Sequence, residues 1–179
     1  PQFSHQFPIP IEKQKIVAEW IERMFRAGII CRATTSPWPS PSFVVANKTP
    51  GEYRLVTYLR KVNTPLIPDW LPSKPVTNML NEIQASGAQW FSTIDVQSAF
   101  FSIKYAPGSN EATAFYADCG NNVSSWGENL TGRWKYLRLV MGAQPSSSAL
   151  FRAMEMILQG LPFVKFYCDD LIIFTKTRE

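Results

Sequence analysis

FVKFYCDDLIIFT, residues 163–175, consists of two apolar runs joined by the short polar step Cys168-Asp169-Asp170. Apolar runs on both sides of such a break predict a β-hairpin. An ionised carboxylate in apolar surroundings is unfavourable unless it is paired or holds a metal ion. Asp169 and Asp170 at the hairpin tip therefore point to a functional site. For this segment taken alone, the alternative is that both aspartates are ordinary turn residues with no role in a functional site.

A third aspartate stands in a similar setting upstream. Asp95 follows the apolar run Trp90–Ile94, which predicts a buried strand that ends at a charge. If this strand is a neighbour of the hairpin, Asp95 and Asp169 converge on one spot. Hard carboxylate oxygens suit Mg²⁺, with Mn²⁺ as a possible substitute. Two such ions are expected to bind a triphosphate, activate an attacking hydroxyl and stabilise a leaving pyrophosphate.

Composition limits the class of protein. The chain has 179 residues, 45% hydrophobic and 18% charged, which is typical of one globular domain or two small lobes. Three widely spaced cysteines exclude a disulfide framework, and a single histidine argues against a His-based triad or zinc site. No apolar run approaches the ~18 residues of a membrane span. The net charge of +4 permits nucleic-acid contact without demonstrating it. Because the chain starts at Pro1, we expect a piece of a longer polypeptide.

Helix and strand patterns are mixed without a strict βαβ rhythm, which favours the α+β class. Apolar residues at helical spacing predict three helices, over 11–27, 76–86 and 146–159, the last with a serine N-cap and with Ile157 among its inward-facing residues. Apolar runs predict strands over 43–46, 53–59, 90–94 and 135–140, in addition to the hairpin, and either strands or strand-to-helix joints over 100–104 and 112–116. Proline-rich stretches at 1–10, 34–41 and 64–75 are predicted to be extended or irregular.

Six segments, in the same order along the chain, resemble those of reverse transcriptases. Tyr167-Cys168-Asp169-Asp170 resembles the family's YxDD box, and WFSTIDVQSAFFSI, residues 90–103, resembles the segment that carries its first catalytic aspartate. The other four are GII with SPW and SP (28–41), YRLV continuing to RKVN (53–63), TAF (113–115) and YLRLVMG (136–142). The likeness runs from about residue 7 to 176. It is nearest to gypsy-like LTR retroelements and more distantly to retroviruses.

The resemblance implies a polymerase palm, which is an antiparallel sheet backed by helices, with a fingers subdomain and no thumb. Residues 1–64 would be fingers, 65–111 the first part of the palm, 112–132 a return to the fingers, and 133–179 the palm with the YxDD hairpin. The implied function is an RNA- and DNA-directed DNA polymerase core that adds dNTPs to a primer 3′-hydroxyl by two-magnesium nucleotidyl transfer. The implied partners are the template–primer and the remaining polyprotein domains, thumb and ribonuclease H, without a membrane. The implied location is intracellular, in the cytoplasm, a virus-like particle or the nucleus.

The resemblance also assigns catalytic roles. Asp95 and Asp169 would be the metal ligands, and Asp170 a supporting acid and further ligand. Phe100 lies where the family places a bulky residue beneath the incoming sugar, which would exclude a 2′-hydroxyl. A plain core phenylalanine is the alternative for Phe100.

Further roles concern the substrate. Arg54 and Lys48 would hold the β- and γ-phosphates, although a solvated hairpin lysine is as good an account of Lys48. The backbone amides of Val96 and Gln97 would face triphosphate oxygens. Three more candidates are Met141 and Gly142, lining the base-pair pocket, and Tyr167, which either packs on the primer end or is structural.

Two departures from the family pattern bear on these implications. Tyr58 stands where the family usually has an aspartate, which puts the fingers geometry in question. The spacing from Gly142 to Phe151 is one residue longer than usual, so the following helix should start at a shifted position. No catalytic carboxylate is lost. Two functions stay open: an active polymerase core, or a catalytically inactive reverse transcriptase-like domain retained as a binding or assembly module of a larger protein.

Overall fold

The structure, a computed structural model, describes residues 5–37, 39–67, 69 and 75–178. Its elements in chain order are α1 (Ile11–Arg26), β1 (Ile30–Arg32), β2 (Ser40–Ala46), β3 (Tyr53–Thr57), α2 (Arg60–Asn63), α3 (Val76–Ala85), β4 (Trp90–Asp95), β5 (Phe115–Ala117), β6 (Gly132–Tyr136), α4 (Gln144–Ile157), β7 (Val164–Tyr167) and β8 (Asp170–Thr175). Two 3-10 helices, Ala99–Ser102 and Glu111–Thr113, lie between β4 and β5. The fold class is α+β, as the sequence predicts.

The larger sheet has five strands in the order β1-β6-β5-β2-β3. Its neighbours are antiparallel except for the short parallel contact between β2 and β5. Helix α1 packs on this sheet because its apolar residues repeat at helical spacing and form one buried stripe: Val17, Ala18, Ile21 and Met24. The stripe meets a core in which Phe115 and Trp134 are almost completely buried.

The smaller sheet positions the three aspartates. Its strand order is β4-β8-β7, and all its neighbours are antiparallel. Helix α4 backs one face, where Leu150 and Met154 contact Phe166 and Leu171. The β7–β8 hairpin predicted from residues 163–175 is therefore confirmed, and β4 joins it along the β8 edge.

The β2–β3 hairpin forms despite Tyr58. Its register is continuous from Ser42 opposite Thr57 to Ala46 opposite Tyr53. The Tyr58 backbone N–H donates to the Pro41 carbonyl at 2.9 Å, and its ring packs edge-on against Phe7. An aromatic contact thus occupies the position of the usual aspartate, and the hairpin pairing is kept.

Two sequence predictions about local structure are wrong near the site. Of the two alternatives for 100–104, the strand is wrong: the chain forms the 3-10 helix Ala99–Ser102, because Ser98 adopts a left-handed conformation (φ 56°) that turns the chain. Helix α4 begins at Gln144 with Ala143 as N-cap, not at a serine. The cap comes from a distant residue, since the Gln144 N–H donates to Asn63 Oδ1 at 3.0 Å.

Other predictions are corrected in extent or burial. The sequence predicts a buried β4, but all six of its residues are exposed, because the core that α4 forms with Phe166 and Leu171 of this sheet includes no residue of β4. Ile157, predicted to face inward, is 72% exposed. The strands predicted over 112–116 and 135–140 are found at Phe115–Ala117 and Gly132–Tyr136. Trp38 of the SPW segment and residues 68 and 70–74 of the predicted loop lie outside the described residues.

Within the described ranges, no helix has the length and apolar character needed to cross a membrane.

Candidate active site

The pairing of β4 with β8 brings the backbones of the three aspartates to one end of the smaller sheet. Asp95 and Asp170 are opposite each other in the last rung of the ladder. One residue further on, the Val96 N–H donates to the Asp169 carbonyl at 2.9 Å. Residues some seventy positions apart in the sequence thus become neighbours, since each carboxylate stands at or beside the point where a strand ends.

The turn between β7 and β8 makes the acids accessible. Tyr167 and Asp170 close the hairpin, so Cys168 and Asp169 form a two-residue turn. Cys168 takes the left-handed conformation (φ 57°) that such a tight turn requires. Asp169 is half-buried, whereas Asp95 and Asp170 are exposed. A ligand can therefore approach this end of the sheet from solvent.

The electrostatics of the pair favour a cation. Asp95 and Asp170 are directly opposed, so their side chains leave the same face of the sheet. Like charges in this position repel, and none of the ion pairs found in the described part of the chain includes either residue. A bound cation would remove the repulsion.

The donor set suits a hard divalent ion that keeps part of its own hydration. Carboxylate oxygens are the ligands that Mg²⁺ and Mn²⁺ prefer. The described residues contain no group of three or more His, Cys, Asp or Glu side chains arranged to hold a metal. Mg²⁺ is commonly bound by one or two carboxylates, with water and substrate phosphates completing its shell. The residues at the sheet end fit that mode of binding.

Phe100 follows Asp95 in the chain and lies in the 3-10 helix Ala99–Ser102. It is half-buried and packs against Ala99, Leu150 and Met154. It also lines a cavity of about 640 Å³ between α3, α4 and β7 whose wall includes Tyr167. Phe101 points elsewhere and stacks on Tyr136 with a centroid distance of 6.3 Å. Phe100 is thus partly a core residue and partly open toward the hairpin.

The backbone amides after Asp95 differ in their availability. The Val96 N–H is already used by the Asp169 carbonyl, and the Ala99 N–H donates to the Val96 carbonyl at 3.2 Å. Among the described residues, no backbone carbonyl accepts from Gln97 or Ser98. The predicted phosphate contact through the Val96 amide is therefore incompatible with the bond that joins β4 to the hairpin turn, whereas the Gln97 amide stays a candidate.

Two predicted phosphate-binding residues lie on the β2–β3 hairpin. Arg54 is exposed on β3 opposite Val45. Lys48 is exposed in the turn, which is closed by a 2.8 Å bond from the Asn47 N–H to the Glu52 carbonyl. No ion pair from the described residues engages either cation. Their charges are therefore available to an anionic ligand.

The remaining predicted residues lie on the segments that lead into α4 and β8. Met141 is 62% and Tyr167 53% exposed. Gly142 has φ +92°, and its carbonyl accepts from the Asn63 side-chain amide at 2.8 Å. Asn63 thus fixes both Gly142 and the first amide of α4, a role that sequence reasoning missed. No local signal marks a contact between residues so far apart in the chain.

Comparisons with known proteins identify the family of the chain. The family model described as "Reverse transcriptase (RNA-dependent DNA polymerase)" matches residues 45–179. The chain is 33% identical over 99% of its length to a Gag-Pol polyprotein of avian reticuloendotheliosis virus. It is 30% identical to the retrovirus-related Pol polyprotein from transposon 297 and 28% identical to that from transposon gypsy, both of Drosophila melanogaster and both over 99% of the chain. It spans only 15% to 16% of the length of these relatives. The match over most of the chain and the order of the acidic segments show that the chain belongs to the reverse transcriptase family.

Proposed function

We propose that this chain carries the polymerase site of an RNA- and DNA-directed DNA polymerase that adds dNTPs to a primer 3′-hydroxyl. The observation that carries the proposal is the rung at the end of the smaller sheet, where Asp95 opposes Asp170 and the adjoining Val96–Asp169 bond fixes the hairpin turn beside them. Asp95, Asp169 and Asp170 would hold two Mg²⁺ ions, with Mn²⁺ as a substitute. The chemistry that such ions supply is activation of the attacking hydroxyl and neutralisation of charge on the leaving pyrophosphate.

The surrounding residues are assigned to the substrate. Arg54 and Lys48 bind the β- and γ-phosphates, because both are exposed cations without an ion-pair partner in the described structure. The Gln97 amide donates to a phosphate oxygen. Phe100 excludes a 2′-hydroxyl from the sugar position.

Base and primer contacts come from the other side of the site. Met141 and Gly142 line the position of the new base pair, and the exposed Tyr167 packs against the primer end. The fingers and palm divisions given above, the template–primer and the further polyprotein domains belong to the same proposal.

Single-nucleotide primer extension tests the proposal. Under single-turnover conditions with excess protein, one dNTP addition does not require processive synthesis. We expect Mg²⁺-dependent extension by the wild type and its loss in Asp169→Asn. Glu128→Gln, which removes an exposed acid from the 121–131 loop, is the control for the change in net charge. Equal extension by wild type and Asp169→Asn refutes the role of Asp169.

A second measurement separates the proposal from the alternative of an inactive binding or assembly module. Mn²⁺ titration followed by electron paramagnetic resonance reports ion binding independently of turnover. Binding of the ion that is lost in Asp95→Asn supports a metal-dependent site. A wild type that binds primer–template but neither binds Mn²⁺ nor extends the primer supports the inactive module.

A further inference from the structure

Arg138 connects three segments that meet beside the candidate active site. Its Nε donates to the Gly28 carbonyl at 3.3 Å, and its Nη1 donates to the Phe101 carbonyl at 3.1 Å. A longer contact of 3.5 Å reaches the Ser102 carbonyl. One side chain thus bridges the turn after α1 and the C-terminal end of the 3-10 helix Ala99–Ser102.

The backbone around Arg138 keeps the guanidinium in place. The Leu139 N–H donates to the Ile103 carbonyl at 2.9 Å, and the Tyr105 N–H donates to the Leu137 carbonyl at 3.0 Å. Lys104 and Arg138 are opposite each other in this short antiparallel contact. The strand segment that carries Arg138 therefore runs directly alongside the residues that follow the 3-10 helix.

The charge of Arg138 is directed at neutral carbonyls. None of the ion pairs in the described structure involves it. Carbonyls at the end of a helix carry partial negative charge, and a guanidinium fork can satisfy several of them at once. A lysine, with a single ammonium group, cannot reproduce that geometry.

The 3-10 helix is short, and packing holds its side chains: Ala99 is buried and Phe100 packs with Leu150 and Met154. It has four residues, begins after the left-handed Ser98 and carries Phe100 at its second position. Phe101 anchors one side through its stack on Tyr136. Since Phe100 and Phe101 are adjacent in one helical turn, a shift at the Phe101 carbonyl moves Phe100 relative to Asp95.

We infer that Arg138 is a positioning residue for sugar selection, acting through the 3-10 helix to fix Phe100. The inference rests on the proposed polymerase function. It concerns the ratio of kcat/KM for a dNTP to that for the matching rNTP. This ratio does not depend on the fraction of protein that is folded and active, so a purely structural role would leave it unchanged.

The test compares Arg138→Met and Arg138→Lys with Arg133→Met in single-nucleotide extension. Arg133 is an exposed arginine on β6 whose side chain makes no hydrogen bond or ion pair among the described residues, so it is a matched control. We expect both Arg138 variants to lower the dNTP/rNTP ratio by about tenfold, the scale of one charge-assisted hydrogen bond. Arg133→Met should leave the ratio as in the wild type.

A double-mutant cycle with Phe100→Ala identifies the route. If Arg138 acts through Phe100, Arg138→Met lowers the ratio no further once Phe100 is truncated. Additive losses, or an unchanged ratio in a folded and active Arg138 variant, overturn the inference. Should Arg138→Met fail to fold, Arg138→Lys decides the question.

Hydrogen exchange separates this inference from the proposed function. We expect faster exchange of the Phe101 and Ile103 amides in the Arg138 variants than in Arg133→Met. Unchanged exchange refutes the role of Arg138 in holding the helix, whatever the activity. If exchange is faster in the Arg138 variants but the wild type extends no primer, the polymerase proposal is overturned. The hydrogen bonds by which Arg138 holds the 3-10 helix are then still supported.

Discussion

Replacing Asp170 by asparagine should stabilise the metal-free protein, an uncommon result for a candidate catalytic residue. Asp95 and Asp170 are opposite each other, and the Val96–Asp169 bond makes theirs a non-hydrogen-bonded rung, in which Cα atoms are ~4.5 Å apart. Two carboxylates separated by about 5 Å in water repel by about 0.8 kcal/mol. For a chain of this size, that gain corresponds to a rise in Tm of about 2–3 °C.

Magnesium should reverse the order of the two proteins. An ion that binds only the folded state, at ten times its Kd, stabilises the wild type by about 1.4 kcal/mol. Asp170→Asn loses a carboxylate ligand together with the repulsion, so we expect little Mg²⁺-dependent gain. The wild type should therefore unfold at lower temperature than the variant in EDTA and at higher temperature in saturating MgCl₂.

Thermal unfolding in EDTA and in MgCl₂ measures both effects, with Glu128→Gln as a charge-matched control far from the rung in sequence. Added monovalent salt should shrink the EDTA difference, because it screens exposed charges. The reasoning is refuted if Asp170→Asn is no more stable than Glu128→Gln in EDTA. It is equally refuted if Mg²⁺ stabilises Asp170→Asn as much as the wild type.

Three further predictions concern other parts of the molecule. Phe100→Val should raise kcat/KM for an rNTP by about tenfold or more while changing dNTP use less, and equal rNTP exclusion by both proteins would contradict the sugar-selection role. Ile21→Ala should lower the free energy of unfolding by about 2–5 kcal/mol, measured with urea, whereas the same change at Ile11, which is 84% exposed, should have a small effect. Burial raises the pKa of Cys119 to about 12 from 9.0, so the folded state keeps this proton at pH values where the unfolded state has lost it. The free energy of unfolding should therefore fall as the pH rises between these two pKa values. Cys119→Ala should flatten the fall in urea midpoint above pH 9, and in the native protein a thiol reagent should label the exposed Cys168 before Cys119.

Local patterns predicted the elements whose stability comes from their own residues. The apolar stripe of α1 lies within one helix and needs only one surface to pack against. The helix predicted over 11–27 is accordingly found at Ile11–Arg26. The hairpin of residues 163–175 has its pairing determined by a short turn, and it too is found as predicted. In both cases, the information lies within a single stretch of sequence.

Properties that depend on distant neighbours could not be predicted from such patterns. The apolar run Trp90–Ile94 resembles a buried strand, but its burial depends on what packs against it, and no residue of β4 belongs to the core that α4 forms with this sheet. The start of α4 is determined by Asn63, which no local pattern links to Gln144. The sequence left a strand or a strand-to-helix joint open over 100–104, and the 3-10 helix forms there because one residue, Ser98, takes a left-handed conformation.

The same distinction applies to the candidate site. Its acids stand at the ends of apolar runs, which a sequence displays directly, so Asp95, Asp169 and Asp170 could be grouped by their setting. The bonds of Arg138 and Asn63, by contrast, go to backbone carbonyls and amides of distant segments. Backbone groups are present at every residue, so such partners leave no mark in the sequence. We therefore expect substrate selectivity to differ between family members whose catalytic acids are identical.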